Sequence, residues 1–304
     1  MQNYKKLYID GAWAHAFTLG EFQIDRVEEM SGPFFPPSFL PGLPEDALVR
    51  EAQWLIPKHF DEHSGNLVNS DHSWVLRTGR HTILIDSCVG NHKNLPAYKY
   101  FAGLETPYLE RLASIGLSPD DIDFVMCTHL HVDHVGWNTR LENGIWVPTF
   151  RRARYLIGRH EYDVAERAIA NGENENDRPV FNESVLPVVE AGLVEYVDDG
   201  FQIDQGVVVH AAPGHTEGHM VVHAKSNGSS GIFCGDVIHH PLQLRYPHIN
   251  SMACRDPEQA ANTRRAVLTD CAEHDRLLMP VHFAGSSCGR VRHDKDVYAW
   301  EELS

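Results

Sequence analysis

The segment His129-Leu130-His131-Val132-Asp133-His134 places four metal-ligating side chains in six positions of the 304-residue chain. Alternate residues of an extended loop point the same way, so His129 and His131 can converge on one metal ion. Asp133 and His134 then face a second ion. Imidazole and carboxylate groups are the ligands that borderline divalent cations such as zinc prefer. The spacing therefore predicts a metal site with room for two ions.

Three later residues are candidates for completing the coordination. His215 lies in Pro213-Gly214-His215, where the glycine allows a tight turn that aims an imidazole inward. Asp236 directly follows the predicted strand 232–235, and its carboxylate can bridge two cations; His282 follows the predicted strand 277–280. Each residue alone would more often occupy a turn or a surface position than bind a metal. Their joint placement beside strand ends favours metal ligands.

Two cations held about 3.5 Å apart would supply hydrolytic chemistry. A water shared between them loses a proton near neutral pH and becomes a hydroxide nucleophile, while the cations polarise the carbonyl or phosphoryl oxygen of a substrate. A serine nucleophile is then unnecessary, and the sequence has no Gly-x-Ser-x-Gly motif. We therefore expect a metal-dependent hydrolase.

The predicted elements place these residues at strand ends. A hairpin through Thr78-Gly79-Arg80 is expected over residues 74–86, and a helix is expected from Thr106-Pro107 to Gly116. The strand 122–127 leads into His129, where ligand-bearing loops of α/β proteins lie. Further strands are predicted at 153–157, 194–197, 207–210, 220–223, 232–235 and 277–280, and helices at 161–170, 181–191 and 257–272. This alternation predicts an α/β fold, an αβ/βα sandwich of two mixed sheets flanked by helices.

Residues 1–67 are predicted to form an N-terminal extension that packs on a core domain of residues 68–304. The extension contains a proline-dense run, residues 32–37, which holds Phe34 and Phe35. These two aromatic residues suit either the wall of a substrate pocket or the core. The same alternatives apply to Trp137 and Phe283.

Composition excludes several classes of function. The formal charge of −16, from 26 basic and 42 acidic residues, disfavours a nucleic-acid partner. The six cysteines form no C-x-x-C pair and are expected mainly in the core. No apolar run approaches the roughly 20 residues of a membrane span, and no signal-peptide core follows the N-terminus, so a cytoplasmic protein without a membrane partner is expected.

The histidine motif and its later partners resemble the metallo-β-lactamase superfamily, whose H-x-H-x-D-H motif is followed by a later His, Asp and His. The match runs from about residue 68 to residue 283. The resemblance implies one metal held by His129, His131 and His215, a second held by Asp133, His134 and His282, and Asp236 bridging both. It also implies that Asp86 orients the histidine loop, although a plain turn aspartate suits the sequence equally.

The branch of the superfamily is indicated by finer features. Di-iron members that reduce oxygen carry Glu where His131 stands, so redox chemistry is disfavoured. The segments 127–136 and 236–243 resemble the lactonase and organophosphate-hydrolase branch, which includes quorum-quenching N-acyl-homoserine lactonases and methyl parathion hydrolase. This resemblance implies two zinc ions and a small-molecule substrate, a lactone or carboxylic ester; iron, manganese and cobalt suit the same ligands. The alternatives are a phosphotriester hydrolase and a non-catalytic, metal-stabilised binding protein, and a homodimer is expected by analogy.

One departure concerns the proton donor. Acyl-homoserine lactonases place a tyrosine a few residues before the bridging Asp or shortly after the sheet of the histidine loop, and this sequence has no clear equivalent. His239 is the nearest polar candidate, and its imidazole can act as a general acid or satisfy a backbone carbonyl. Asp133 and His239 are therefore the candidate catalytic residues, and His219 is expected to form a hydrogen bond near the metals.

Overall fold

The computed structural model of the protein describes residues 16–303. Its strands are β1 (Ala16–Leu19), β2 (Phe22–Phe35), β3 (Phe60–Asp61), β4 (Asn66–Arg77), β5 (Thr82–Ile85), β6 (Phe124–Cys127), β7 (Thr139–Glu142), β8 (Ile145–Pro148), β9 (Arg154–Gly158), β10 (Val194–Val197), β11 (Gln202–Asp204), β12 (Val207–Ala211), β13 (Met220–Ser226), β14 (Ser229–Gly235), β15 (Leu277–Pro280), β16 (Gly289–Asp294) and β17 (Val297–Glu302). The α-helices are α1 (Ala47–Arg50), α2 (Ala52–Leu55), α3 (Tyr108–Ser114), α4 (Arg159–Ala170), α5 (Arg178–Val180), α6 (Leu186–Glu190), α7 (Leu242–Arg245) and α8 (Pro257–Glu273). Short 3-10 helices span Pro37–Phe39, Pro119–Asp121 and Gly136–Asn138, and a π-helical turn spans Phe181–Val185.

Two mixed sheets carry the architecture. The first has the order β1-β2-β4-β5-β6-β9-β10, with β3 paired to β4, and its strands β5, β6, β9 and β10 are parallel. The second runs from β11 to β17 in chain order, and its pair β14 and β15 is parallel. Helices cover both outer faces. The predicted sandwich is therefore confirmed.

Alternation along the strands separates the buried layers. On β4, Trp74 and Leu76 lie in the cluster between the sheets, together with Val222 and Phe233 of the second sheet, whereas Val75 lies in the layer outside the first sheet. Beyond the second sheet, Val221 packs with residues of helix α8 such as Leu268. None of the helices between residues 16 and 303 is long and apolar enough to cross a bilayer.

The described part of the predicted N-terminal extension contributes β1, β2, β3 and the start of β4 to the first sheet, with the short helices α1 and α2 between β2 and β3. Strand β2 pairs antiparallel with β4 from Gln23↔Arg77 to Phe35↔Leu67. The predicted boundary after residue 67 therefore lies inside β4, and residues 1–15 lie outside the described range. The buried polar residues Asp25 and Glu29 hide the alternating apolar pattern that would have predicted β2.

Candidate metal centre

Several predicted site residues, both ligands and the loop-orienting Asp86, follow the carboxyl ends of parallel strands in both sheets. Asp86 follows β5, His129 lies two residues after β6, Asp236 follows β14 and His282 lies two residues after β15. His215 joins them from the loop between β12 and β13. Ligand-bearing loops of α/β sheets meet at this edge, and here two sheets contribute to the same point.

The structure gathers all seven predicted ligands into two adjoining groups. The first contains His129, His131, His215 and Asp236, and the second contains Asp133, His134 and His282; within each group one ligand atom per residue lies within 4.8 Å of the others. In the first group, Nε2 of His215 lies 3.1 Å from Nε2 of His129 and 2.9 Å from Nδ1 of His131.

Asp236 faces both groups with different oxygens. Its Oδ2 lies 3.1 Å from Nε2 of His215, in the first group. Its Oδ1 lies 3.1 Å from Nε2 of His134 and 3.0 Å from Nε2 of His282, in the second. The carboxylate thus stands where a ligand shared by two cations would stand.

The donor atoms fit divalent cations chemically. Nε2 of His134 and Oδ1 of Asp236 are buried, and although they lie 3.1 Å apart, neither forms a hydrogen bond of acceptable geometry with any described residue. Burial of polar atoms without partners is costly unless a cation binds them. Nitrogen and oxygen donors in these proportions suit zinc.

The protonation of the imidazoles also suits metal binding. Burial lowers the pKa of His129 and His215 well below the ordinary value, so their rings are neutral and carry free lone pairs. At His134, burial acts against a positive charge, but Asp236, Asp86 and Asp133 raise its pKa well above the ordinary value. The carboxylates therefore make the second group strongly attractive to positive charge.

Asp86 contacts the histidine loop just before its first histidine and at its last one. Its Oδ1 accepts the backbone N–H of Thr128 at 2.8 Å, and its Oδ2 lies 2.9 Å from Nδ1 of His134. The side chain is 1% exposed. These contacts support the prediction that Asp86 orients the histidine loop over the alternative that it is a plain turn residue.

His219 contacts the backbone beside the centre. Its Nε2 accepts the N–H of Asp236 at 3.0 Å, and burial lowers its pKa to about 3, which keeps the ring neutral as an acceptor requires. The approach depends on Gly235 (φ +47°), since a Cβ there would lie 2.8 Å from Nε2 of His219 and 2.7 Å from Oγ1 of Thr128.

His239 lies at the border between the centre and a cleft. Its Nε2 is 3.1 Å from Oδ2 of Asp236 and 3.1 Å from Oγ of Ser251. Burial lowers its pKa, although Asp236 acts in the opposite direction. The neighbouring His240 instead directs Nε2 to the carbonyl of His59 at 2.8 Å, so the two adjacent histidines have separate surroundings.

The cleft beside the centre has a volume of about 550 Å³, within the range of small-molecule sites. Its apolar wall consists of Phe35, Phe39, Tyr98, Phe101, Val132 and Met252. The rings of Phe35 and Phe39 stack with centroids 4.6 Å apart. A second cavity of about 260 Å³ meets the cleft at His131, Asn174, Asp177 and Arg255.

Of the four aromatic residues predicted for the pocket, Phe35 lines the cleft. Phe34, its neighbour on β2, is buried, because successive strand residues face opposite sides. The ring of Trp137 stacks on that of Tyr108, with the ring centroids 5.2 Å apart. The ring of Phe283 packs against that of Trp300, with the centroids 5.4 Å apart. These three are not among the described residues that line the cleft.

Several cleft residues escaped prediction from the sequence. Tyr98 and Phe101 lie between β5 and α3, and Phe39 lies in the 3-10 helix after β2. The hydroxyl of Tyr98 donates to the carboxylate of Asp177. A dispersed set of aromatic residues gives no local pattern, so only the folded chain identifies it.

Comparison with known families agrees with this geometry. The sequence profile of the metallo-β-lactamase superfamily matches residues 68–272. The chain belongs to the metallo-β-lactamase superfamily.

Curated relatives of this superfamily member include N-acyl homoserine lactonases and a hydroxyacylglutathione hydrolase. The N-acyl homoserine lactonase AiiB of Agrobacterium fabrum is 33% identical over 103 residues, 31% of this chain and 34% of AiiB. The hydroxyacylglutathione hydrolase of Aeromonas hydrophila is 28% identical over 174 residues, 56% of this chain and 47% of that protein. The matched regions thus span between about a third and a half of these relatives.

Solved structures share the whole fold. The hydrolase AbOPH of the β-lactamase superfamily superposes with a TM-score of 0.81 at 21% identity, over 97% of this chain and 99% of AbOPH. AidC, a dizinc quorum-quenching lactonase in complex with the product N-hexanoyl-L-homoserine, superposes with a TM-score of 0.74 at 19% identity, over 96% and 98% of the two chains. At this identity the likeness extends to the fold alone.

Proposed function

We propose that this protein is a two-zinc hydrolase that opens lactones or cleaves carboxylic esters, with acyl-homoserine lactones among the candidate substrates. The observation that carries the proposal is the position of Asp236, which presents one oxygen to each ligand group. In this proposal His129, His131 and His215 hold one ion, Asp133, His134 and His282 hold the other, and Asp236 binds both. Two bound cations lower the pKa of a bound water and polarise a carbonyl oxygen.

The chain's own residues supply the proton chemistry. Asp133 lines the cleft, with Oδ1 3.7 Å from Nε2 of His134 and Oδ2 3.8 Å from Nε2 of His282. One oxygen would bind the second ion, and the other would accept a proton from an attacking water. His239, with its proton on Nε2, donates a hydrogen bond to the carbonyl or the leaving oxygen of the substrate. Ser251 holds that nitrogen at the border of the cleft.

The cleft supports a substrate with an apolar arm. Its aromatic wall, with the stacked rings of Phe35 and Phe39, suits an acyl chain next to the scissile bond. The lactonase relatives, which are named for N-acyl homoserine substrates, support the same substrate class.

Removal of the metals tests the mechanism. A sample dialysed against a chelator should lose its activity on a panel of lactones and regain it on addition of two equivalents of zinc. Elemental analysis of the reloaded protein should find two ions per chain. A metal-free sample that opened lactones at the full rate would refute the mechanism, and one ion or none per chain would favour a non-catalytic binding protein.

A phosphotriester hydrolase is the second candidate, since the aromatic wall also suits an aryl leaving group. Turnover of the lactone panel and of an aryl phosphotriester by the same zinc-loaded sample separates the two substrate classes. A preference for the phosphotriester would replace the lactonase proposal and leave the metal centre intact. The proposed homodimer is tested separately by the mass of the protein in solution.

A further inference from the structure

Strand β4 contains a polar run, Asn69 to Ser73, in which all five side chains are buried. Buried polar groups lower stability unless they find partners. Trp74 and Val75, which follow the run, return to the apolar pattern of a core strand. The burial of this polar run must therefore be compensated by specific contacts in the folded chain.

Asp71 lies in the middle of this run, directly behind His282. Its Oδ1 is 3.1 Å from Nδ1 of His282, and the residue is 1% exposed. The carbonyl of Ser70 lies at the same distance, 3.1 Å, from this nitrogen. The backbone N–H of Ser70 in turn donates to the carbonyl of His282 at 3.1 Å. Strand β4 thus fixes His282 through its backbone and places a carboxylate behind the ring.

The pair Asp71 and His282 places a buried carboxylate 3.1 Å from Nδ1 of the ring, as the pair Asp86 and His134 does at 2.9 Å, although the hydrogen bond of His282 Nδ1 is to the carbonyl of Ser70. Both histidines belong to the group that contains Asp133, and each has a buried carboxylate at its Nδ1. The histidines of the other group lack such a neighbour in the described chain. Nδ1 of His129 faces the hydroxyl of Thr128 at 3.1 Å, and Nδ1 of His215 faces the thiol of Cys254 at 3.6 Å.

We propose that Asp71 is a positioning residue for His282, and that the group of Asp133, His134 and His282 binds its cation more tightly than the other group does. The carbonyl of Ser70 fixes the tautomer of His282 with the proton on Nδ1, and the negative charge of Asp71 behind the ring increases the basicity of Nε2. Two such pairs strengthen cation binding by the group of Asp133, His134 and His282. The other group has neutral hydroxyl and thiol neighbours at its histidines, which strengthen cation binding less. The inference rests on the proposed function, in which these residues hold metal.

The test measures zinc affinity as well as activity. Zinc-loaded protein is titrated with a competing chelator, and the ions that remain are counted by elemental analysis. Wild type should release its ions in two steps. Asp71→Asn should weaken the tighter step by about 10- to 100-fold, the usual effect of removing such a partner, and leave the weaker step unchanged. The control is Asp25→Asn, a buried carboxylate on β2 that pairs with Arg77 at 3.0 Å and should alter neither step.

A second background tests whether Asp71 acts through His282. In a His282→Ala protein, which should lack the tighter step, the added Asp71→Asn substitution should have no further effect on zinc binding. If Asp71 had a merely structural role, Asp71→Asn would lower thermal stability equally in wild type and in the His282→Ala protein, and its effect on zinc binding would not depend on His282. If Asp71→Asn does not fold, as judged by circular dichroism, Asp71→Ser supplies the same comparison with a smaller side chain.

The outcomes separate this inference from the proposed function. Wild-type protein that binds two ions, with both steps unchanged in Asp71→Asn, overturns the role of Asp71 and leaves the two-zinc hydrolase standing. A weakening confined to the looser step also overturns it. Wild-type protein that binds no zinc overturns the proposed function itself, and the inference with it.

Discussion

The carboxylate of Glu29 accepts the indole N–H of Trp137 at 2.7 Å and joins strand β2 to the segment just after the histidine motif. The same carboxylate accepts the backbone N–H groups of Val89 at 2.7 Å and Gly90 at 3.1 Å, and the hydroxyl of Thr106. One buried acidic side chain therefore connects segments from four parts of the chain. It explains why Trp137 is a core residue instead of a wall of the cleft.

Glu29 should make stability depend on pH. Burial raises the pKa of Glu29 from 4.5 to about 7, so the folded state holds this proton more tightly than the unfolded state does. The resulting stabilisation is fully present below pH 4.5 and is lost as pH rises through 7. The free energy of unfolding of wild type, relative to that of Glu29→Gln, should therefore fall by about 2.5 kcal/mol from pH 5 to pH 8. Urea unfolding across this range measures it, and a constant difference would contradict the prediction.

Asp86→Asn should weaken the centre without blocking folding. Asn tolerates the left-handed backbone at this position (φ 58°), but it loses the negative charge behind His134. We expect metal affinity or activity to fall about 10- to 100-fold. Chelator titration and lactone turnover measure the two effects, with Asp204→Asn, a buried carboxylate that accepts from Thr78, as the control. Unchanged metal affinity and lactone turnover in Asp86→Asn would show that Asp86 does not support the metal centre.

His239→Ala should slow turnover while both metal ions stay bound. The substitution removes a hydrogen-bond donor at the border of the cleft, and loss of one such donor costs about 10²- to 10³-fold in kcat. His240→Ala is the matched neighbour, since its ring bonds to the carbonyl of His59 and faces elsewhere. Steady-state kinetics measures kcat in both variants, and elemental analysis counts their bound ions. A normal kcat in His239→Ala would exclude a catalytic role.

Phe35→Ala should reduce selectivity for long acyl chains. The ring lines the cleft and stacks on Phe39, so its loss removes apolar contact from the arm of the substrate. We expect kcat/KM to fall about tenfold for long-chain lactones and to change little for short ones. Leu141→Ala, at an exposed position of β7, is the control. An equal effect on all chain lengths would place the acyl arm elsewhere.

Gly136→Ala should prevent stable folding. A Cβ at this position would lie 1.7 Å from the carbonyl oxygen of Val89, a clash with backbone that no rotamer change relieves. We expect a loss of more than about 3 kcal/mol. Gly144→Ala, in the turn between β7 and β8, meets nothing within 4 Å and should cost only about 1–2 kcal/mol for its positive φ. Thermal melting compares the two, and similar melting points would contradict the prediction.

Local patterns accounted for much of the fold and for the convergence of the seven ligand side chains. The hairpin around residue 79, the strand before His129, the helix 257–273 and the strand 277–280 all follow from periodicity and turn residues. The convergence of His215 and His282 on the motif could be predicted because strand ends share one edge of a sheet.

Features that depend on long-range contacts could not be predicted. Strand β2 and the polar run of β4 lack the apolar alternation of ordinary strands, since Glu29 and Asp71 are buried by partners far away in the sequence. Trp137 and Phe283 are large aromatic residues beside the motifs, and nothing local distinguishes a buried ring from one that lines a cleft. Tyr98 enters the cleft on a loop whose course only tertiary packing determines.

Much of the apolar wall of the cleft comes from segments that carry no candidate metal ligand, including the end of β2, the loop around Tyr98 and the stretch before α8. Substitutions in these segments can therefore accumulate while the ligands stay untouched. Over evolutionary time such a chain can exchange one substrate for another by drift in its wall, without passing through an inactive ancestor. The same separation gives a protein engineer a region to randomise while the residues of the proposed hydrolytic centre are held constant.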